Sequence, residues 1–185
     1  LLLLSIFIYF ERIFAISSAV KVSPDFMNQI RTYVLNGKIE GAQQHCMNEN
    51  VPVARLILKG ISRIGRPLED INTSIENAGK LEVYKLEKNI SVLATISGVA
   101  PMLGFLGTVI GMILSIFEMA NAGGNIDVEM LSQGIYTAMT TTVAGLIVGI
   151  IAFISYNYLV AKVDKVIFML EAKTTDFLDL LHHNE

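Results

Sequence analysis

Charge is missing from this chain in two long stretches. The runs from Asn89 to Phe117 and from Met130 to Ala161 contain no Asp, Glu, Lys, Arg or His. Intramembrane ionisable groups mark ion pathways, so a proton relay by side-chain titration across the bilayer centre is beyond this chain alone, and a membrane enzyme built on such groups is excluded. A single cysteine, Cys46, rules out an internal disulfide framework and a multi-cysteine metal site, and leaves the redox compartment open. No Gly-rich phosphate loop, His-Glu-x-x-His pair or nucleophile elbow occurs, so neither an enzyme activity nor a cofactor or metal is expected. The formal charge of −3 is too small to suggest nucleic acid as a partner.

Apolar residues make up 52% of the 185 positions, with a mean hydropathy of +0.54, more than a soluble core of this length can use. The run 89–117, about 29 residues, gives a helix of roughly 43 Å, longer than the ~30 Å hydrocarbon core of a bilayer. The run 130–161 is longer still. Leu1 to Phe10 is also uncharged, ends at Glu11 and Arg12, and lacks the basic start of a signal peptide. It reads as the cytoplasmic half of a first transmembrane helix beginning before Leu1, with a buried or interfacial helix as the alternative. The predicted class is an all-α membrane protein with three transmembrane helices extended into a cytoplasmic helical bundle. Its predicted segments are 1–20 (end of the first span), 21–88 (cytoplasmic), 89–117 (second span), 118–129 (a loop facing away from the cytoplasm), 130–161 (third span) and 162–185 (cytoplasmic tail).

Orientation rests on the basic residues. The connection from Glu118 to Glu129 has no Lys or Arg and turns at Gly123-Gly124-Asn125, whereas Arg12, Lys85, Lys88 and Lys162 flank the other ends of the spans. The positive-inside rule places the middle segment and the C-terminus in the cytoplasm. In the middle segment, Asn50-Val51-Pro52 marks a break, and Val53, Leu56, Ile57, Gly60, Ile61 and Ile64 form an amphipathic stripe ended by Gly65-Arg66-Pro67. Ile71, Ile75, Ala78, Leu81, Val83 and Leu86 carry helical spacing straight on into the second span, with Glu82, Lys85, Glu87 and Lys88 on the wetter side. In the tail, Leu159, Val163, Val166, Leu170, Phe177 and Leu181 fall at heptad positions. An intramolecular bundle explains them as well as a self-associating coil, and oligomerisation is favoured because the spans also need neighbours for their small-residue faces. His45, beside Cys46, and His182-His183 read as solvated, as does the acidic loop of Glu118, Asp127 and Glu129. Glu11 and Arg12 read as a boundary ion pair of small energetic weight if exposed.

Small and polar residues within the spans do not scatter. Ser97, Pro101, Gly104, Thr108, Gly111 and Ser115 recur at intervals of three and four, so they share one face of the second span, and Gly107 lies beside it. In the third span Thr137, Thr140, Thr141 and Thr142 cluster near one end, followed by Gly145, Gly149, Ala152 and Tyr156. Such faces pack helices, Gly107 and Gly149 among them, or line a polar path.

Ala100-Pro101-Met102-Leu103-Gly104-Phe105-Leu106-Gly107-Thr108-Val109-Ile110-Gly111-Met112 resembles the second-span signature of the ExbB/TolQ/MotA family of proton-channel subunits, in its ExbB/TolQ branch. Gly134-Ile135-Tyr136, Thr141-Thr142-Val143-Ala144-Gly145-Leu146 and Tyr156-Asn157 resemble the third-span signature, and the approach Leu81 to Lys88 is similar too. The resemblance implies a pentameric ring in the inner membrane of a Gram-negative bacterium. It implies that the ring encloses the single spans of an ExbD/TolR-like dimer, whose membrane Asp is the titrating group, and that it energises an outer-membrane process through a TonB-like partner. Thr108 and Thr142 match the family's pore-facing threonines and Pro101 its proline; Gly104, Gly111, Thr137, Thr141 and Gly145 are assigned to the same lining. One position departs: many relatives have Glu where this chain has Thr137, which removes one carboxylate from the route. A TolQ-like or motility-type motor subunit, or a membrane scaffold that conducts nothing, are the alternatives.

Overall fold

The computed structural model describes residues 1–121 and 128–182, and every regular element among them is helical: α1 (Leu2–Ala19), α2 (Phe26–Leu35), α3 (Ile39–Glu49), α4 (Pro52–Ile61), α5 (Leu68–Glu87), α6 (Ile90–Asn121) and α7 (Val128–His182). Three stretches are long and apolar enough to cross a membrane, within Leu2–Ala19, Leu68–Asn121 and Leu131–His182. The Gly123-Gly124-Asn125 turn, Asp127 and His183 lie outside the described residues. The chain divides into two compact units, one of Leu1–Phe10 with Asn89–Tyr158 and one of Glu11–Lys88 with Leu159–Glu185.

The second unit is built from helices whose ends follow from local chemistry. Asn50 adopts a left-handed conformation (φ 42°) that closes α3, and Val51 is extended, as a residue before proline must be. Pro52 then opens α4, where a missing N–H costs no hydrogen bond. Gly65 (φ +93°) turns the chain beyond α4 with open space around it, a conformation that a β-carbon would strain. The stripe of α4 is buried at Val53, Leu56, Ile57, Gly60 and Ile61. A β-carbon on Gly60 would lie 2.5 Å from Phe177 Cε1 of α7 and 2.8 Å from Ile75 Cδ1 of α5, so three helices converge at that glycine. Leu159, Val163, Val166, Leu170 and Phe177 are all buried. These five positions of the tail stripe are therefore covered within the chain's own unit.

Three expectations are corrected. Helical spacing is interrupted between Glu87 and Ile90, where Asn89 takes φ 64°. Glu82 is buried at 5% exposure while Leu81 is 55% exposed, the reverse of the amphipathic reading. The reason is a partner 27 residues away: Arg55 of α4 donates through Nε (3.0 Å) and Nη2 (2.6 Å) to the two Glu82 oxygens, and Lys85 adds a third bond at 2.8 Å. His45 is half-buried rather than fully solvated. It stacks on Phe26 with ring centroids 5.4 Å apart, and its Nε2 is shielded from water with no hydrogen-bond partner among the described residues. Next to it Cys46 is buried, and burial pushes its thiol up to about 12, which makes it an inert core residue. Arg12, 7% exposed, is more than a boundary marker, since it pairs with Glu11 and donates through Nη1 to Lys85 O (3.1 Å), one of the last carbonyls of α5.

The Glu82 cluster yields a pH prediction. Burial pushes the carboxyl up, but the hydrogen bonds and charges of Arg55 and Lys85 outweigh it and hold Glu82 below its ordinary value of 4.5. A lowered folded-state value means the stabilisation is fully present above 4.5 and is lost as pH falls through the folded value. Glu82→Gln is expected to cost about 2 kcal/mol at neutral pH and to narrow its gap from the parent below pH 4.5, in thermal melts in detergent followed by circular dichroism. A gap independent of pH would show that the carboxylate charge contributes nothing.

Candidate functional site: the α6–α7 seam

In the first unit α6 and α7 meet along a seam of small residues. At its centre a β-carbon on Gly104 would stand 2.9 Å from Thr141 O and 3.0 Å from Thr142 Cα, and one on Gly145 would stand 2.6 Å from Ala100 O. Backbones this close require hydrogen in place of a side chain, as in other membrane helix pairs. Towards one end, Gly149 faces the Pro101 ring, with Ser97 O 3.2 Å from where its β-carbon would be. Proline has no N–H to donate four residues back, so the Ser97 carbonyl is released from the helix ladder where Gly149 makes room. Towards the other end Gly111 packs on Ala138 and Gly134 on Ser115, while Gly107 lies against the Thr141 side chain. Ile96, Ala100 and Ala152 form a small buried cluster beside the seam, with Val148 packed on it.

Hydroxyls cross this seam. Thr142 Oγ1 donates to Gly104 O at 2.9 Å, Thr108 Oγ1 donates to Phe105 O at 2.6 Å, and the two hydroxyls are 3.2 Å apart. Each hydroxyl carries one proton, so two protons serve three contacts, and the donor roles can exchange by rotation about the C–O bonds alone. Thr141 Oγ1 donates to Ala138 O at 2.7 Å, with Gly104 O a second acceptor at 3.3 Å. Thr137 stands apart. Its hydroxyl bonds back to Gln133 O (2.9 Å), and it lines a groove of about 530 Å³ with Gly111, Ser115, Glu118 and Glu129.

The structure thus gathers Thr108, Thr142, Thr141, Gly104, Gly107 and Gly145 at one level, places Pro101 with Gly149, and puts Gly111 and Thr137 nearer Glu118 and Glu129. The sequence reading missed Ala138 and Gly134 as seam positions. Their signal was the continuation of the same spacing, 134, 138, 141, 145, 149 and 152, which extends the Gly/Thr strip by two turns. No group of His, Cys, Asp or Glu suited to a metal occurs among the described residues. Outward-facing positions are large and apolar, among them Met102, Phe105, Phe117 and Ile154, as a lipid or a neighbouring helix requires.

A family profile described as the MotA/TolQ/ExbB proton channel family matches residues 48–172. An ExbB homolog of biopolymer transport from Methanothermobacter thermautotrophicus is 31% identical over 135 residues, covering 73% of this chain and 47% of the relative. The biopolymer transport protein ExbB of Aquifex aeolicus is 37% identical over 102 residues (54% of this chain, 68% of the relative), and that of Helicobacter pylori 38% over 79 residues (43% and 54%). The aligned stretch spans about half the length of the first and third of these relatives. The profile covers both signatures and the helices that meet at the seam, and the named relatives share one branch. With its three apolar helices and the Thr108–Thr142 seam, this chain belongs to the MotA/TolQ/ExbB proton channel family, on its ExbB-like side.

Proposed function

We propose that the chain is the channel-forming subunit of an inner-membrane motor that couples the proton-motive force to an outer-membrane process. Five copies surround the spans of a single-span, ExbD/TolR-like dimer, and a TonB-like protein takes up the work. Residues 21–88 and 162–185 stand in the cytoplasm and 118–129 in the periplasm. The observation that carries this reading is the exchangeable hydroxyl pair Thr108–Thr142 in a seam between helices with no Asp, Glu, Lys, Arg or His across their apolar runs. A hydroxyl pair donates and accepts without being charged, so it can hydrogen-bond a carboxylate in either protonation state but cannot itself hold the proton. The titrating group therefore comes from the partner. Thr108, Thr142, Thr141, Pro101, Gly104, Gly111, Thr137 and Gly145 line the path, and Gly107 and Gly149 pack the helices that carry it. One proton crossing 100 mV yields ~2.3 kcal/mol, enough for a few protons to bias a two-state element.

A scaffold reading has one observation in its favour: every seam threonine finds a backbone carbonyl, as in ordinary helix packing. Proton uptake into liposomes holding this chain and its single-span partner, under an imposed potential, separates the two readings. Uptake abolished when the partner's membrane Asp becomes Asn is the expected result. No uptake by the assembled complex, with a TonB-like protein present as well as absent, would leave the scaffold.

A further inference from the structure

On the far side of α4 from the Gly60 contact, a groove of about 770 Å³ runs between α4 and α5. One wall carries Arg55, Lys59, Arg63 and Arg66, and the facing wall of α5 offers the uncharged polar side chains Ser74 and Asn77. Arg55 and Lys85 are committed to Glu82, but no acidic partner is found for Lys59, Arg63 or Arg66 among the described residues. Asp70 is the one further carboxylate on the rim. A cation in the last turn of a helix complements its dipole, which accounts for Lys59. It does not account for Arg63 and Arg66, which follow the end of α4, or for their gathering on one rim, where like charges repel.

Dimensions and chemistry select the occupant. Asp70 and Lys85 bound the groove along α5, and fifteen residues of helix between them span roughly 22 Å. That is the reach of about seven residues of extended chain and far more than one phosphate or lipid headgroup fills. Guanidinium groups pair carboxylates through two parallel hydrogen bonds, and the exposed Leu81, opposite Leu58, offers an apolar contact midway. From this we infer that the groove docks an extended acidic peptide segment of a partner protein, with Lys59, Arg63 and Arg66 pairing its carboxylates and Leu58 and Leu81 seating one apolar side chain. The site is independent of the membrane seam and of whether that seam conducts.

The test is fluorescence anisotropy with the full chain in neutral detergent and a fluorescein-labelled peptide of about seven residues, rich in Asp and Glu with one central Leu. Lys59→Gln/Arg63→Gln/Arg66→Gln is compared with the charge-matched Lys21→Gln/Lys38→Gln/Lys165→Gln, whose exposed cations lie outside the groove. Circular dichroism checks that both are folded. The groove variant is expected to weaken binding about tenfold or more, the matched variant by less than about twofold, and the Asn/Gln version of the peptide to bind neither. Equal weakening by both triples would reduce the effect to net charge and overturn the proposal. So would the absence of peptide binding, or full displacement of the peptide by short-chain phosphatidylglycerol below its micelle concentration, which would assign the cations to a lipid headgroup.

Discussion

Gly145→Ala is expected to lower the thermal midpoint of the detergent-solubilised protein by roughly 5–10 °C, the counterpart of about 2–3 kcal/mol of overpacking. The added methyl would sit 2.6 Å from Ala100 O and 2.9 Å from Gly104 Cα, both of them backbone atoms that cannot rotate away. Relief requires α6 and α7 to separate by a good part of an ångström. That movement also stretches the Thr142 to Gly104 hydrogen bond and opens the Thr108–Thr142 pair. Gly98→Ala provides the control on α6, since nothing lies within 4 Å of a β-carbon there. It should leave the midpoint unchanged or raise it slightly, because alanine is the better helix former. If the two variants melt together, the seam does not hold the helices and its close approach carries no energetic weight.

Thr142→Val separates chemistry from packing. Valine keeps the shape and deletes the proton that Thr142 gives to Gly104 O and the oxygen that faces Thr108. A hydrogen bond between membrane helices contributes about 0.6 kcal/mol on average and under about 2 at most, so the variant should fold and melt within a few degrees of the parent. Proton uptake in liposomes with the single-span partner should nevertheless fall about tenfold or more, with Thr108→Val giving a similar loss and Thr142→Ser restoring most of the flux. Both Val variants remove the exchange between the two hydroxyls, so the double variant should be little worse than either single one. Unchanged flux in a folded Thr142→Val protein would assign the hydroxyls to packing alone.

Gly145 concerns whether the helices can approach, and Thr142 what the approach brings together. Glycine at 104, 107, 145 and 149 allows the contact, and only at that distance do the threonine hydroxyls reach across.

Much of the membrane architecture is legible in the residue order. Runs without charge, longer than a bilayer core, dictate membrane helices because unpaired charge is expensive in hydrocarbon. Small residues repeating at three and four dictate a common face because the helix repeats every 3.6 residues. Both are local properties of one helix, so both are legible without a partner. The two signatures carried the family in the same way, as fixed spacings along a single strand of sequence. Other features depend on pairs far apart in the chain and emerge only from the folded arrangement. Glu82 looks like a surface residue until Arg55 is brought beside it, and periodicity cannot report a charge neutralised from another helix. His45 looks solvated until Phe26 stacks on it. The tail heptad does not say what Phe177 packs on, and the structure brings it to Gly60 and Ile75. The register that sets Thr108 against Thr142 is likewise fixed by backbone contact between Gly104 and Gly145, a match of two surfaces that neither helix carries alone.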